Sequence, residues 1–553
     1  MNIVIYFLFN GAIFLIGRGS AVFIKKIFNK NTIVLDRIQI FNLDIFYIYS
    51  LFGLFVIGNI SFIGNFFVSL DNLIFKVLFL VLIFVNFYEK FIIKNIKFFL
   101  INVLVIPLML FFSSYSVNLA QDAGLYQLNS QLWIKSSKII FGLSNLHSRY
   151  GYSSISEYIG ANFWLDDNLI ILHFVSLIFI SFFFTFLINN VYLVDNKFLK
   201  FTSLSIIMMG IIDNFGFGGG RNGFIDIDAV MKQDTAFAIL FFFGSLSIFN
   251  LILTEDFSLL NIVAISLVIL FSIQFRIFGF VMLFIFLYYL YLSHSNGILI
   301  RDIFKCLSPA FLILVAWTIK NIIVSGCMIF PVELTCFDSL PWYYNGYAYE
   351  ESYDLNIFHI AYGLGDNVFL WLQNWIQKPT NVNTVKNFLI TFLLILIFKK
   401  SYFKKELKSN YRTSYLVIYS YVSLSFLLWV ISAPSTRFAI GLFLVSISLI
   451  FLNIDSFNER FFIPSMLLNF SIAFLVFICI FTLNRLENYQ VFINNPLIQR
   501  ELTPTLVSYK SNAKGWGVTP IEGSSCWINT ECIPEEKKLN LQEGFYKTFF
   551  IDG

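Results

Sequence analysis

The sequence predicts an all-α integral membrane protein, a polytopic helical bundle of about fourteen spans of roughly 20 apolar residues each, with a small outer C-terminal tail. Three observations predict it. Of the 553 residues, 58% are hydrophobic and only 13% charged, with a mean hydropathy of +0.77, whereas soluble domains carry about 25% charged residues. Apolar runs of spanning length recur along the chain. The lysines and arginines concentrate in alternate connecting loops, as they do where basic loops stay in the cytoplasm. The formal charge of +4 is too small to suggest a nucleic-acid partner, so the partner that composition implies is the lipid bilayer.

Taken in order, MNIVIYFLFNGAIFLIG lacks the basic residues that precede the apolar run of a cleaved signal peptide. It is expected to stay as a first span with its N-terminus outside. The segment Arg18 to Arg37, with Lys25, Lys26 and Lys30, then lies inside. Spans at 43–64 and 73–88 are joined outside by NFFVSLDN, and YEKFIIKNIK lies inside. A span at 98–113 leads to the first long polar interruption, 113–168. Spans at 169–189 and 199–212 flank an inner loop carrying Lys197 and Lys200. An outer segment 213–234 precedes spans at 235–252, 257–273 and 276–293, and SHSNGILIRDIFK is inside. The span at 308–325 opens into a second long outer loop, 326–382. The strongly basic KKSYFKKELKSNYR follows the span at 384–398 and lies inside. Spans at 414–431, 436–453 and 464–482 end the membrane domain 1–482, leaving the tail 483–553 outside.

Cysteine spacing agrees with this topology. Cys327/Cys336 and Cys526/Cys532 are two close pairs on the oxidising side, as expected for two disulfides. Zinc is the weaker alternative, because no histidine lies near either pair. Cys306 and Cys479 fall at the inner face and within a span.

Chemistry is expected in loop 113–168, which has the length of an outer catalytic loop. Asp122 follows a span by a few residues, and ionisable groups at membrane depth are functional candidates. It suits general-base activation of a hydroxyl, and equally a cap on a helix beginning at Gly124. In the next segment Leu125, Leu128 and Leu132 share a helical face, with Lys135 and Lys138 at its polar end and Trp133 alongside. This fits an interfacial helix lying on the bilayer, or an amphipathic helix packed on its neighbours. GLSNLHSRYGYSS brings His147 and Arg149 together, suiting phosphate or proton exchange. Segment 213–234 contains GFGGGR without the Gly-Lys-Ser/Thr of a phosphate-binding loop. Asp226, Asp228 and Asp234 follow it, but the alternating Asp226 and Asp228 are too few ligands to define a cation site, so no cofactor is assigned and a divalent cation, Mg or Mn, stays open. Arg276 and Arg437 stand at outer membrane edges. Span-end arginines often snorkel, but Pro434 leaves Arg437 at the mouth of the bundle, where an anionic ligand would meet it.

These motifs carry a resemblance. D-x-G-L-Y at Asp122–Tyr126, W-I at Trp133–Ile134 and G-L-x-N-L-H-x-R-x-G at Gly142–Gly151 resemble a bacterial family of large membrane proteins associated with surface polysaccharides. The similarity continues in I-K-N-x-I-x-S-G-C-x-I-x-P at Ile319–Pro331, T-C-F at Thr335–Phe337 and A-P-x-x-R-F at Ala433–Phe438. That family in turn is similar to the GT-C glycosyltransferases, which move sugar from a polyprenyl-phosphate carrier to an acceptor outside the membrane. The resemblance implies a GT-C-like bundle in a bacterial inner membrane, with Asp122 as the base. It implies that His147, Arg149 and Arg437 contact phosphate or sugar, with Arg276, Glu157, Tyr126 and Asn145 completing the substrate-binding set. The expected partners are a polyprenyl-phosphate-linked sugar and a glycan or lipid acceptor. Two departures stand out: Asp122 has no paired acidic residue before Glu157, and several spans precede the loop. A polysaccharide polymerase or ligase relying on its outward arginines is the second expectation, and a transporter or flippase the third.

Overall fold

A computed structural model describes residues 2–27, 39–40, 43–91, 93, 95–111, 114, 117, 119, 122–164, 168–194, 196–212, 233–352, 368–404, 412–432, 434–452, 456–457 and 501–551. Helices dominate. In chain order the long ones are α1 (Asn2–Ile27), α2 (Tyr49–Asn65), α3 (Leu73–Val85) and α4 (Ile96–Phe111). Two short helices follow, α5 (Leu128–Ser136) and α6 (Ile155–Gly160). Then come α7 (Ile170–Tyr192), α8 (Lys197–Ile212), α9 (Gln233–Thr254), α10 (Leu259–Phe275), α11 (Met282–Ser295) and α12 (Ile300–Ser325). The last are α13 (Val368–Gln377), α14 (Pro379–Tyr402), α15 (Arg412–Ser432) and α16 (Ile440–Ser448).

Among the described residues, seven helical stretches are long and apolar enough to cross a membrane, and five apolar helices are shorter. The chain is therefore a helical membrane protein. Most of the expected spans coincide with a helix. The last one, 464–482, lies outside the described residues, as do Asp226, Asp228 and Cys479. Helices α7 and α9 are apolar on every face and almost wholly buried, the pattern of helices at the centre of a bundle.

Small residues set the packing at the N-terminal end. A Cβ built on Gly17 would lie 1.9 Å from the Tyr49 carbonyl oxygen, and one on Gly19 would lie 1.8 Å from that of Leu82. One on Gly53 would meet the Ile13 carbonyl oxygen at 2.2 Å. These glycines let α1 seat directly on the backbones of α2 and α3, as small residues do between membrane helices. Deeper in the bundle, Asn59 of α2 and Gln274 of α10 exchange amide hydrogen bonds of 3.3 and 2.7 Å.

The structure corrects the first loop boundary. Arg18 is not in a loop: α1 continues to Ile27, and Arg18 is fully buried in it. Its guanidinium donates to Asn86 Oδ1 at 3.2 Å and to the Lys90 carbonyl at 3.0 Å, and it lies 3.9 Å from the centre of the Phe91 ring. Lys25 pairs with Glu89 beside it. This cluster supplies the partners a buried cation needs.

A small lobe covers the opposite end of the bundle. It contains α5, the loop after α12, and two hairpins of the tail: β1 (Tyr509–Ser511) with β2 (Val518–Pro520), and β3 (Leu539–Gln542) with β4 (Thr548–Ile551). Trp133, Ile140, Leu143, Tyr150, Leu539 and Phe549 share its own apolar core. The expected interfacial helix is corrected here. Residues Leu128 to Gln131, Trp133 and Ile134 of α5 are all buried, because Leu128 and Ile134 pack into the bundle core while Trp133 and Asn129 meet the tail at Phe549 and Asn529, as the alternative of a helix packed on its neighbours expects. Both cysteine pairs are disulfides, Cys327–Cys336 and Cys526–Cys532.

Candidate functional site

The lobe holds two 3-10 turns of loop 113–168, Leu143–Asn145 and Ser148–Tyr152, in place. Asn145, expected to bind substrate, is buried and donates both to the Trp342 carbonyl and to the Phe549 carbonyl at 2.9 Å. It joins three distant segments. Phe141 and Phe549 bond through their backbones at 3.0 Å, and Phe141 also takes the Lys547 carbonyl at 3.0 Å.

Asp122 opens a helical turn that continues as a wide π-type segment, Ala123–Gln127. Its carboxylate caps no backbone N–H, so the capping role is not what the structure shows. Instead, Asp122 Oδ1 lies 3.6 Å from Arg149 Nη1, and both side chains are about two-fifths exposed at 41% and 39%. The Arg149 guanidinium stands 5.5 Å from the Tyr126 ring centre, one turn along from Asp122. Burial and the Asp122 charge push the Tyr126 hydroxyl up to about 12, against the opposing pull of Arg149 and Arg276. Tyr126 is thus a neutral hydrogen-bonding group sensing both arginines.

The second half of the site comes from the bundle. At Arg276 the backbone leaves α10 in an extended conformation. Gly279 allows the tight return, since a Cβ there would lie 2.7 Å from the Ile273 nitrogen. Arg437 sits on the turn Thr436–Phe438. That turn is pinned by Trp429 Nε1 donating to the Ser435 carbonyl at 3.0 Å and by Thr436 Oγ1 donating to Asn381 Oδ1 at 3.2 Å. Asp234, in the first turn of α9, pairs with Arg276 through one oxygen and approaches Arg437 Nε to 3.9 Å with the other. Both guanidiniums lie over Phe438, at 4.4 and 4.7 Å from its ring centre.

His147 accepts the Arg149 backbone N–H at its Nδ1, 3.2 Å away. Burial, with Lys537 and Arg149 nearby, lowers its pKa to about 3. It is a neutral brace for Arg149 at physiological pH, not a proton donor. Glu157 faces inward, accepting from Ser130 Oγ at 2.8 Å, with burial raising its pKa to about 7 against the Ser130 bond and the Lys320 charge.

Two acidic side chains gather here from outside loop 113–168, one of which follows Asp226 and Asp228 in segment 213–234 and had no role there. Asp234 is one. Glu351 is the other, accepting from Ser148 and from the Tyr152 hydroxyl at 2.9 Å. Asp234 stands at the edge of an apolar run, the one signal that marked it. Among the described residues no group of three metal-ligating side chains occurs.

A family model described as a domain of unknown function, DUF8201, matches residues 1–444. The chain belongs to the DUF8201 family. No curated protein matches it, and no solved structure does. The DUF8201 region holds Asp122, Tyr126, Arg149, Asp234, Arg276 and Arg437, whereas the tail hairpins that close the lobe lie beyond the matched residues.

Proposed function

We propose that this DUF8201 protein is a membrane glycosyltransferase of GT-C type. It would transfer sugar from a polyprenyl-phosphate carrier to a surface glycan or lipid acceptor on the lobe side of a bundle of about fourteen spans, that side facing out of a bacterial inner membrane. The observation that carries this reading is the half-exposed Asp122–Arg149 pair together with the Arg276–Asp234–Arg437 cluster, linked through Tyr126, which lies within electrostatic reach of Asp122, Arg149 and Arg276. A base and a set of guanidiniums at one end of an apolar bundle is what a lipid-phosphosugar reaction needs. Asp122 takes the proton of the acceptor hydroxyl, whose oxygen attacks the anomeric carbon. The carrier phosphate departs with the bonding electron pair, and the arginines stabilise its growing charge. The carrier's prenyl chain stays among the helices.

Asp122→Asn tests it. With the full chain in lipid nanodiscs, a polyprenyl-phosphate-linked radiolabelled sugar and a cell-envelope acceptor extract, transfer is expected to fall by roughly 10²–10⁴, the usual contribution of a general base. Unchanged transfer in a folded Asp122→Asn protein overturns it. A second reading, a polysaccharide polymerase or ligase, is favoured by the two arginines sharing Asp234. It requires activity to tolerate Asp122→Asn and to vanish in Arg437→Ala.

A further inference from the structure

Arg276 and Arg437 are built as a pair, but one carboxylate serves both. Asp234 is the most enclosed of the three, its side chain 13% exposed, while Arg276 and Arg437 are 30% and 33% exposed. An anion arriving from solvent therefore meets the guanidiniums before it meets Asp234. The arginines also keep unused donors. Arg276 engages Asp234 through one terminal nitrogen, and Arg437 reaches Asp234 only at 3.9 Å, beyond hydrogen-bond length. Phe438 is a common neighbour of both guanidiniums, its ring centre 4.4 and 4.7 Å away. Two guanidiniums on one shared carboxylate form a fork that phosphate oxygens match better.

We propose that Arg276 and Arg437 form one phosphate subsite in which Asp234 is a resident stand-in: a terminal phosphate monoester takes the arginines from Asp234, and Asp234 retakes them when that phosphate leaves. This rests on the glycosyltransferase reading only for the identity of the phosphate, a prenyl monophosphate. The phosphodiester of a sugar donor carries one negative charge and the monophosphate left behind carries close to two. The subsite thus favours the group as it departs, and the returning carboxylate keeps the product from lingering.

The experiment is equilibrium binding without sugar transfer. The full chain, in nanodiscs of phosphatidylcholine, is titrated with farnesyl monophosphate, with farnesol and inorganic phosphate as comparison probes. Farnesyl monophosphate is expected to bind and farnesol not. Binding of inorganic phosphate with equal affinity assigns the subsite to free phosphate and overturns the prenyl assignment. Arg437→Gln should weaken farnesyl monophosphate at least tenfold. Asp234→Asn, which keeps an acceptor for Arg276 but removes the competing charge, should tighten it severalfold. Weaker binding in folded Asp234→Asn overturns the stand-in role, and unchanged binding in Arg437→Gln overturns the subsite. Should Asp234→Asn misfold, Asp234→Ser serves the same comparison. A protein that binds farnesyl monophosphate in this pattern yet transfers no sugar sinks the enzyme reading and leaves the subsite standing.

Discussion

The Asp122 carboxylate and the Arg149 guanidinium face each other at 3.6 Å with about two-fifths of each side chain exposed, and that decides what each contributes. An ion pair this exposed adds about 0–1 kcal/mol to stability, so Arg149→Ala is expected to leave the melting temperature of the purified protein nearly unchanged while abolishing the proposed transfer. A drop of many degrees would show that Arg149 is structural. Glu157 behaves oppositely. Its folded-state pKa is raised by burial from 4.5 to about 7, so the folded protein holds that proton more tightly than the unfolded chain does. The resulting stabilisation is complete below pH 4.5 and is lost as pH rises through about 7. The groups facing it are Ser130, Lys320, Tyr150 and Tyr158. Glu157→Gln should flatten the fall in melting temperature across that window; an unchanged slope would assign it elsewhere.

Among the elements, α1 carries the plainest prediction. Gly17→Val places side-chain atoms into the Tyr49 carbonyl and separates α1 from α2. Overpacking of this kind costs typically 1–3 kcal/mol or more, and detergent-stable yield measured by gel filtration should fall sharply. The Cys526–Cys532 ring is the other element with a readable role. It presents Trp527, whose N–H donates to the Gly124 carbonyl at 2.7 Å, and Asn529, whose carbonyl receives Asn129 at 2.8 Å. Replacing both cysteines by serine removes a constraint worth roughly 2 kcal/mol for so short a loop. Proteolysis of the tail should then quicken while the helical bundle stays intact. Apolar runs made most helices legible in the sequence, and edge positions made Arg276 and Arg437 candidates. Arg18 was misplaced because a local charge reads as a loop until its partners, some seventy residues away, are known. Glu351 and Trp527, and the pairing of Asp234 with Arg276 and Arg437, are illegible for the same reason: each role comes only through contacts distant in the chain.

The molecule as a whole has two parts, a bundle that defines the membrane region and a lobe that arranges the chemistry at one end. Their junction explains why the site's two halves were separately visible in the sequence but not their meeting. Asp122 and Arg149 belong to the lobe side, Arg276, Asp234 and Arg437 to helix ends and turns, and only the closed assembly sets Tyr126 within the influence of both Arg149 and Arg276. Asn145 and Phe549 are 404 positions apart and Asn129 and Asn529 are 400 apart. A ribosome therefore finishes nearly the entire polypeptide before the covering strands reach the loop beneath them. Until that moment the half-built protein carries Trp133 and Leu143 bare to its surroundings, and a prematurely terminated copy would stay so, marked for quality-control proteases by its own uncovered grease.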